Sequence, residues 1–152
     1  MALSLRLALI SALVPHGARV CDIGTDHGYL PIELIKRGDI KSVIATDIRE
    51  KPLASAEKNI KAANISGITL RLCDGLEGIS QGEVDTIITA GMGGEVIASI
   101  LARSALPTAA PAPLLILQPT TSPEFLRRFL CENGFEILSD TALCENAKLY
   151  SV

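Results

Sequence analysis

Asp22, Asp26, Asp47 and Asp74 stand at or just past the ends of apolar runs, in the stretches "VCDIGTDHG", "IATDI" and "LRLCDG". A fourth run, "VDTIITAGMGG", ends in glycines instead. Carboxylates and bare backbone at strand ends can do a limited set of things. Glycine lets a ligand lie against the main chain. A carboxylate after a second strand, here Asp47, can accept both hydrogen bonds of a ribose diol. One after a third strand, here Asp74 before Gly75, can accept from an exocyclic amine. His27 adds a group able to exchange a proton near neutral pH, or to orient its loop by bonding a backbone carbonyl.

The loop from Gly24 to Gly28 discriminates between ligands. A dinucleotide fingerprint is GxGxxG, with a pyrophosphate over the following helix N-terminus. The GxG step is missing here, and Asp26 would set a negative charge beside that pyrophosphate, a repulsion that grows in a partly dry site. S-adenosylmethionine has no phosphate and carries a cationic amino group and a sulfonium. Asp22-x-Gly24-x-Asp26-x-Gly28 therefore reads as an acidic-x-G-x-G-x-G loop with Asp26 at the middle glycine. The glycines of "AGMGG" let a ligand approach the backbone after the fourth strand. Gln118-Pro119, after the fifth, offers a polar wall.

These residues need a scaffold that gathers strand ends. Helical spacing of Leu3, Leu7, Ile10 and Val14 predicts a helix over residues 3–13. Strands are predicted at 18–23, in "KSVIATDI", in "ITLRLCDG", in "VDTIITAGMGG" and in "LLILQPT". Helices are predicted in "YLPIELIKRG", "EKPLASAEKNIKAANI", "EVIASILARS" and "SPEFLRRFLCENG". Ser122 is a candidate cap for the last helix, Pro123 its first residue and Gly134 its stop. "LPTAAPAP" reads as a loop, and two further strands are expected around 135–139 and 147–152. Alternating strands and helices, with near-continuous apolar strands, predict an α/β doubly wound, mostly parallel seven-stranded sheet with helices on both faces. In such sheets ligands bind beyond the carboxyl ends of the strands.

Composition sets outer bounds. The 152 residues fit one domain, 1–152. Hydrophobic residues make up 48% and mean hydropathy is +0.36, which argues against disorder. Net charge is −3, so no overall basic footprint marks a nucleic-acid binder; Arg127-Arg128 is the notable basic pair. Cys21, Cys73, Cys131 and Cys144 form no CxxC pair, so neither a metal site nor a disulfide framework is expected. The apolar start "MALSLRLALISALVP" is interrupted by Arg6 and is too short to span a bilayer. A cytoplasmic protein with no membrane partner is expected.

Taken together, "VCDIGTDHGYLP", "IATDI", "LRLCDGLE", "VDTIITAGMGG" and "LLILQP" resemble the bacterial tRNA (adenine-N1)-methyltransferase family called TrmK, as do "LRRFLCENGFEI" and "KLYSV". The resemblance implies a Rossmann-like class I fold and methyl transfer from S-adenosylmethionine to N1 of an adenine in the position 22 region of tRNA. By position, Asp22, Gly24, Asp26, His27, Asp47, Asp74 and Gly75 would hold the cofactor, with Gly28, Ile48, Ala90 and Gly91 completing that side. Met92, Gly93, Gln118 and Pro119 would face the substrate. If a general base operates, Asp26 is the first candidate and His27 the second. The family's helical C-terminal domain, implied to help hold tRNA, has no counterpart in these residues, so tRNA binding is expected to be weak. The alternatives are a non-catalytic S-adenosylmethionine-binding module and a small-molecule methyltransferase, with a nicotinamide oxidoreductase well behind them.

Overall fold

The computed structural model describes residues 3–152; Met1 and Ala2, which open the apolar N-terminal run, lie outside the described residues. The chain runs α1 (Leu5–Leu13), β1 (Arg19–Ile23), α2 (Tyr29–Lys36), β2 (Ser42–Asp47), α3 (Glu50–Ala63), β3 (Ile68–Leu72), β4 (Thr86–Gly93), α4 (Gly94–Ala102), β5 (Leu114–Thr121) and α5 (Pro123–Glu132), then β6 (Ala142–Glu145) and β7 (Lys148–Ser151). A short 3-10 turn, Leu106–Thr108, lies in the proline-rich loop.

β1 to β5 form one parallel sheet in the order β3-β2-β1-β4-β5. The order reverses at β1, so the crevice of a doubly wound sheet must open beyond the ends of β1 and β4. Successive side chains of a strand face opposite ways. Val20 therefore packs with Ile10, Val14, Leu30 and Leu34 under α1 and α2. Cys21 and Ile23 pack on the other face with Ile87 and with Ile100 of α4. A third cluster, Ile97, Ala98, Leu101 and Leu126, joins α4 to α5.

The expected sheet of seven strands is corrected to five plus a separate antiparallel hairpin, β6-β7. Asn146 (φ 50°) and Ala147 (φ 60°) both adopt the left-handed conformation, the geometry of a tight two-residue hairpin turn. The strand expected at 135–139 does not form. That segment is tied to α5 instead, by the Arg127–Asp140 ion pair (2.6 Å) and by Phe135 packing beside Phe129. Ile137 and Leu138 are left exposed. Ser122 stands at the N-cap position of α5, its carbonyl accepting from Leu126 N, but with φ 50° its side chain makes no capping hydrogen bond, and its Oγ donates to Glu95 Oε1 at 3.2 Å.

The loop between β3 and β4 is stapled from below. Arg71 Nη1 donates to the Gly78 carbonyl at 2.7 Å, and the guanidinium pairs with both oxygens of Glu83, which also accepts from Ser80 N. These contacts, the Arg71 hydrogen bond first, hold the Glu83 carboxyl down at about 2, from an ordinary 4.5. A depressed carboxyl contributes stability above its unfolded value and loses it as pH falls toward the folded one. Glu83→Gln is therefore expected to cost about 1 kcal/mol at pH 7, allowing for solvent around the pair. Denaturant melts at stepped pH should show that difference shrinking between pH 4.5 and pH 2.

Candidate active site

The sheet places a cleft of about 860 Å³ where the topology requires it, beyond the ends of β1, β2 and β4. That is ample for a drug-sized ligand. Asp22, Gly24, Asp26, His27, Asp47, Ile48, Asp74, Gly75, Ala90, Gly91 and Met92 all line it. Gly28, Gly93, Gln118 and Pro119 do not.

Three of these four have a packing reason. Gly28 (φ 72°) starts α2, and a Cβ there would stand 3.0 Å from Ala56 Cβ of α3. Gly93 lies against Thr121. Gln118 is fully buried: its Oε1 accepts from Gly91 N (3.1 Å) and Arg6 Nη1 (3.2 Å), and its Nε2 donates to the Pro119 carbonyl (2.8 Å). It fills the register shift that Gly91 introduces between β4 and β5, and so shapes the cleft from behind.

The glycine-rich turn hangs from β2, because Gly24 N and Thr25 N both donate to the Thr46 carbonyl. The Met92 side chain lies across Gly24, its Cε 2.2 Å from where a Cβ would be. Asp22 is buried, yet its carboxylate has no hydrogen-bond donor among the described residues. Burial pushes its pKa up to about 6; Thr25 beside it tempers the rise, although no hydrogen bond closes between them. A charged form so disfavoured is a ready acceptor for a cationic ligand.

Asp47 is also buried. Its Oδ1 accepts from Arg49 N at 2.9 Å, which fixes the carboxylate at the cleft wall. Asp74 accepts from Arg103 Nη1 and Nη2 at 2.8 and 2.9 Å, and that bidentate pair holds its carboxyl below the usual range. Each Asp74 oxygen keeps a lone pair for a further donor. Asp26 sits at the rim with φ 51°, an uncommon conformation that concentrates at functional sites. His27 is clamped: Nδ1 lies 2.8 Å from Ser55 Oγ, its carbonyl accepts from Asn59 Nδ2 at 2.9 Å, and Nε2 faces Asp26 at 3.5 Å.

Among the cleft residues that escaped the sequence reading are Arg6, Tyr29 and Arg103. Arg6 was legible only as a charge interrupting an apolar helix. Ser55 and Asn59, spaced i and i+4 on α3, were the available sign that one helix face serves the loop.

The profile of the methyltransferase-domain family matches residues 3–152. The chain belongs to that family. Within it, this methyltransferase domain sides with the TrmK group. It is 36% identical over 151 residues to the tRNA (adenine(22)-N(1))-methyltransferase of Bacillus subtilis, covering 99% of this chain and 63% of that relative. It superposes on the Streptococcus pneumoniae protein Sp1610, solved with S-adenosyl-L-methionine, with TM-score 0.91, 42% identity, and coverage of 99% of this chain and 71% of that one. M. capricolum TrmK, solved with S-adenosyl-homocysteine, gives TM-score 0.88 and 30% identity, with 99% and 67% covered. The chain spans about two thirds of these relatives' length.

Proposed function

We propose that this domain binds S-adenosylmethionine in the acidic cleft and transfers its methyl group to N1 of an adenine in tRNA. The observation that carries the reading is Asp22, a buried carboxylate without a protein partner, facing a cleft rimmed by Asp26, Asp47 and Asp74. Such a site favours a cationic, phosphate-free cofactor over a dinucleotide. The S-adenosylmethionine and S-adenosyl-homocysteine complexes of the similar proteins, and the tRNA activity named for the Bacillus subtilis relative, support it.

In this reading Asp47 accepts from the ribose diol, Asp74 from the adenine amine, and Asp22 faces the cationic end. When bound, the cofactor supplies an electrophilic methyl on a sulfonium. Adenine N1 has a lone pair, so no prior deprotonation is needed, and the chain's work is positioning and field. Ile48, exposed on the cleft wall, offers an apolar contact. Asp26 and His27 face the incoming base at the rim, where the Asp26 carboxylate stabilises positive charge developing on the ring. The base must leave its stack to arrive there.

Asp26→Asn is expected to lower single-turnover methyl transfer about 10- to 100-fold, in the range of a lost electrostatic contact, with S-adenosylmethionine affinity within about threefold of wild type. Calorimetry with S-adenosylmethionine and with NAD tests the cofactor reading. Heat of binding from the first and none from the second is expected; binding of NAD alone would overturn it. Transfer to a free nucleoside but not to tRNA would instead select the small-molecule alternative.

A further inference from the structure

The cleft's cations are not equivalent. Arg49 and Arg103 are each held by a cleft carboxylate, Asp47 and Asp74. Arg6 approaches the cleft from α1, on the β4–β5 side and away from those carboxylates. Its nearest carboxylate, Glu145, is 4.0 Å from Nε, and Nε itself is buried with no hydrogen-bond partner among the described residues. The guanidinium lies 5.1 Å from the centroid of the Tyr150 ring on β7. The exposed Lys148 ammonium lies 5.2 Å from the same centroid. Two cations thus share one ring, each within cation–π range, in a domain whose net charge is −3. Glu145, opposite Lys148 in the hairpin and 4.0 Å from Arg6 Nε, balances one of the two charges, which leaves a net positive edge open to a second anion.

We infer that Arg6 and Lys148, with Tyr150 between them, form the phosphate-contact edge that seats the RNA strand carrying the target base. The inference rests on the RNA substrate proposed above and names where on this domain that strand is held. A strand pinned at this edge can turn a base into the cleft past Met92, while the carboxylates on the other side remain with the cofactor. Phosphate contacts position a nucleic acid without reading its sequence. This edge therefore sets placement, and base choice is left to the cleft.

The test is equilibrium binding of unmodified tRNA to the intact chain across a salt series, for wild type, Lys148→Gln, Arg6→Gln and Arg6→Lys. Each phosphate contact contributes about 0.7 to 0.9 to the slope of log affinity against log salt. Lys148→Gln and Arg6→Gln should each flatten the slope by about that much, and Arg6→Lys should restore most of it. S-adenosylmethionine affinity should stay within about twofold in Lys148→Gln, which lies outside the cleft lining. Lys148 is an exposed hairpin residue, so its variant reads the slope without risk to the fold. An unchanged slope in both glutamine variants overturns the inference. So does weakened S-adenosylmethionine binding in Arg6→Gln with the salt slope intact, which would assign Arg6 to the cofactor's carboxylate. If the wild type binds tRNA with the expected slope changes but transfers no methyl, the reaction proposed above fails and this edge stands.

Discussion

Asp22→Asn is expected to make the ligand-free domain more stable at pH 8 and at the same time to remove most of its affinity for S-adenosylmethionine. Both effects come from one buried carboxylate. In the folded protein its pKa is about 6, against 3.8 in the open chain. A raised carboxyl stabilises the fold only while protonated. Its contribution is present below pH 3.8, declines as pH rises toward 6, and is replaced above 6 by the cost of a buried charge. At about 1.4 kcal/mol per pH unit, that cost reaches about 3 kcal/mol, and the amide is expected to recover about 1 to 3 of it. The gain should disappear near pH 4. The cofactor's cation offsets the same cost in the wild type, so affinity should drop about 100-fold in the variant, the scale of a lost charged hydrogen bond. Wild-type affinity should weaken as pH falls below about 6, because the carboxyl must ionise to bind, whereas the variant's should be flat. Paired thermal melts and titrations at pH 5 and pH 8 check all of this. A variant that binds like wild type at pH 8 would remove Asp22 from the site.

Gly94→Ala is expected to lose about 3 kcal/mol or more, a melting-temperature drop of about 10 °C. The reason is steric. A Cβ at Gly94 would stand 2.3 Å from the Ser122 carbonyl oxygen, 3.0 Å from its carbon and 3.1 Å from the Thr121 oxygen. All three are backbone atoms of the turn from β5 into α5, so no side chain can rotate away. Gly82→Ala is the useful contrast. Its backbone is also unsuited to a side chain (φ 77°), but nothing lies within 4 Å of the added carbon. It should cost about 1 kcal/mol, the left-handed penalty alone. Comparable melts for the two variants would contradict this view of the β4–α4 corner.

The Gly94 contact also shows where sequence reasoning stops. The "AGMGG" stretch reads as backbone opened for a ligand, and Gly91 and Met92 do line the cleft. Gly94 is small for a different purpose, the approach of another strand's end, which no local pattern reveals. The same division runs through the molecule. Apolar runs and punctuating glycines were enough to place β1 to β5 and the helices between them, because each burial pattern is local. They located Asp22, Asp47 and Asp74 at strand ends, and the parallel order then brings those ends together. The final hairpin was misread, since apolar alternation at 135–139 looks like a strand until Arg127 and Phe129 hold that segment to α5. Arg6 and Arg103 were missed because their roles arise from partners 112 and 29 residues away, Gln118 and Asp74.

Single-turnover transfer decides whether this domain methylates tRNA. The domain, in excess over unmodified tRNA, is mixed with methyl-labelled S-adenosylmethionine, and the RNA is digested to nucleosides. Label is expected in N1-methyladenosine from one site, and strongly reduced with Asp22→Asn at the same cofactor concentration. Bound cofactor with no label in the RNA, or label on another atom, would contradict it.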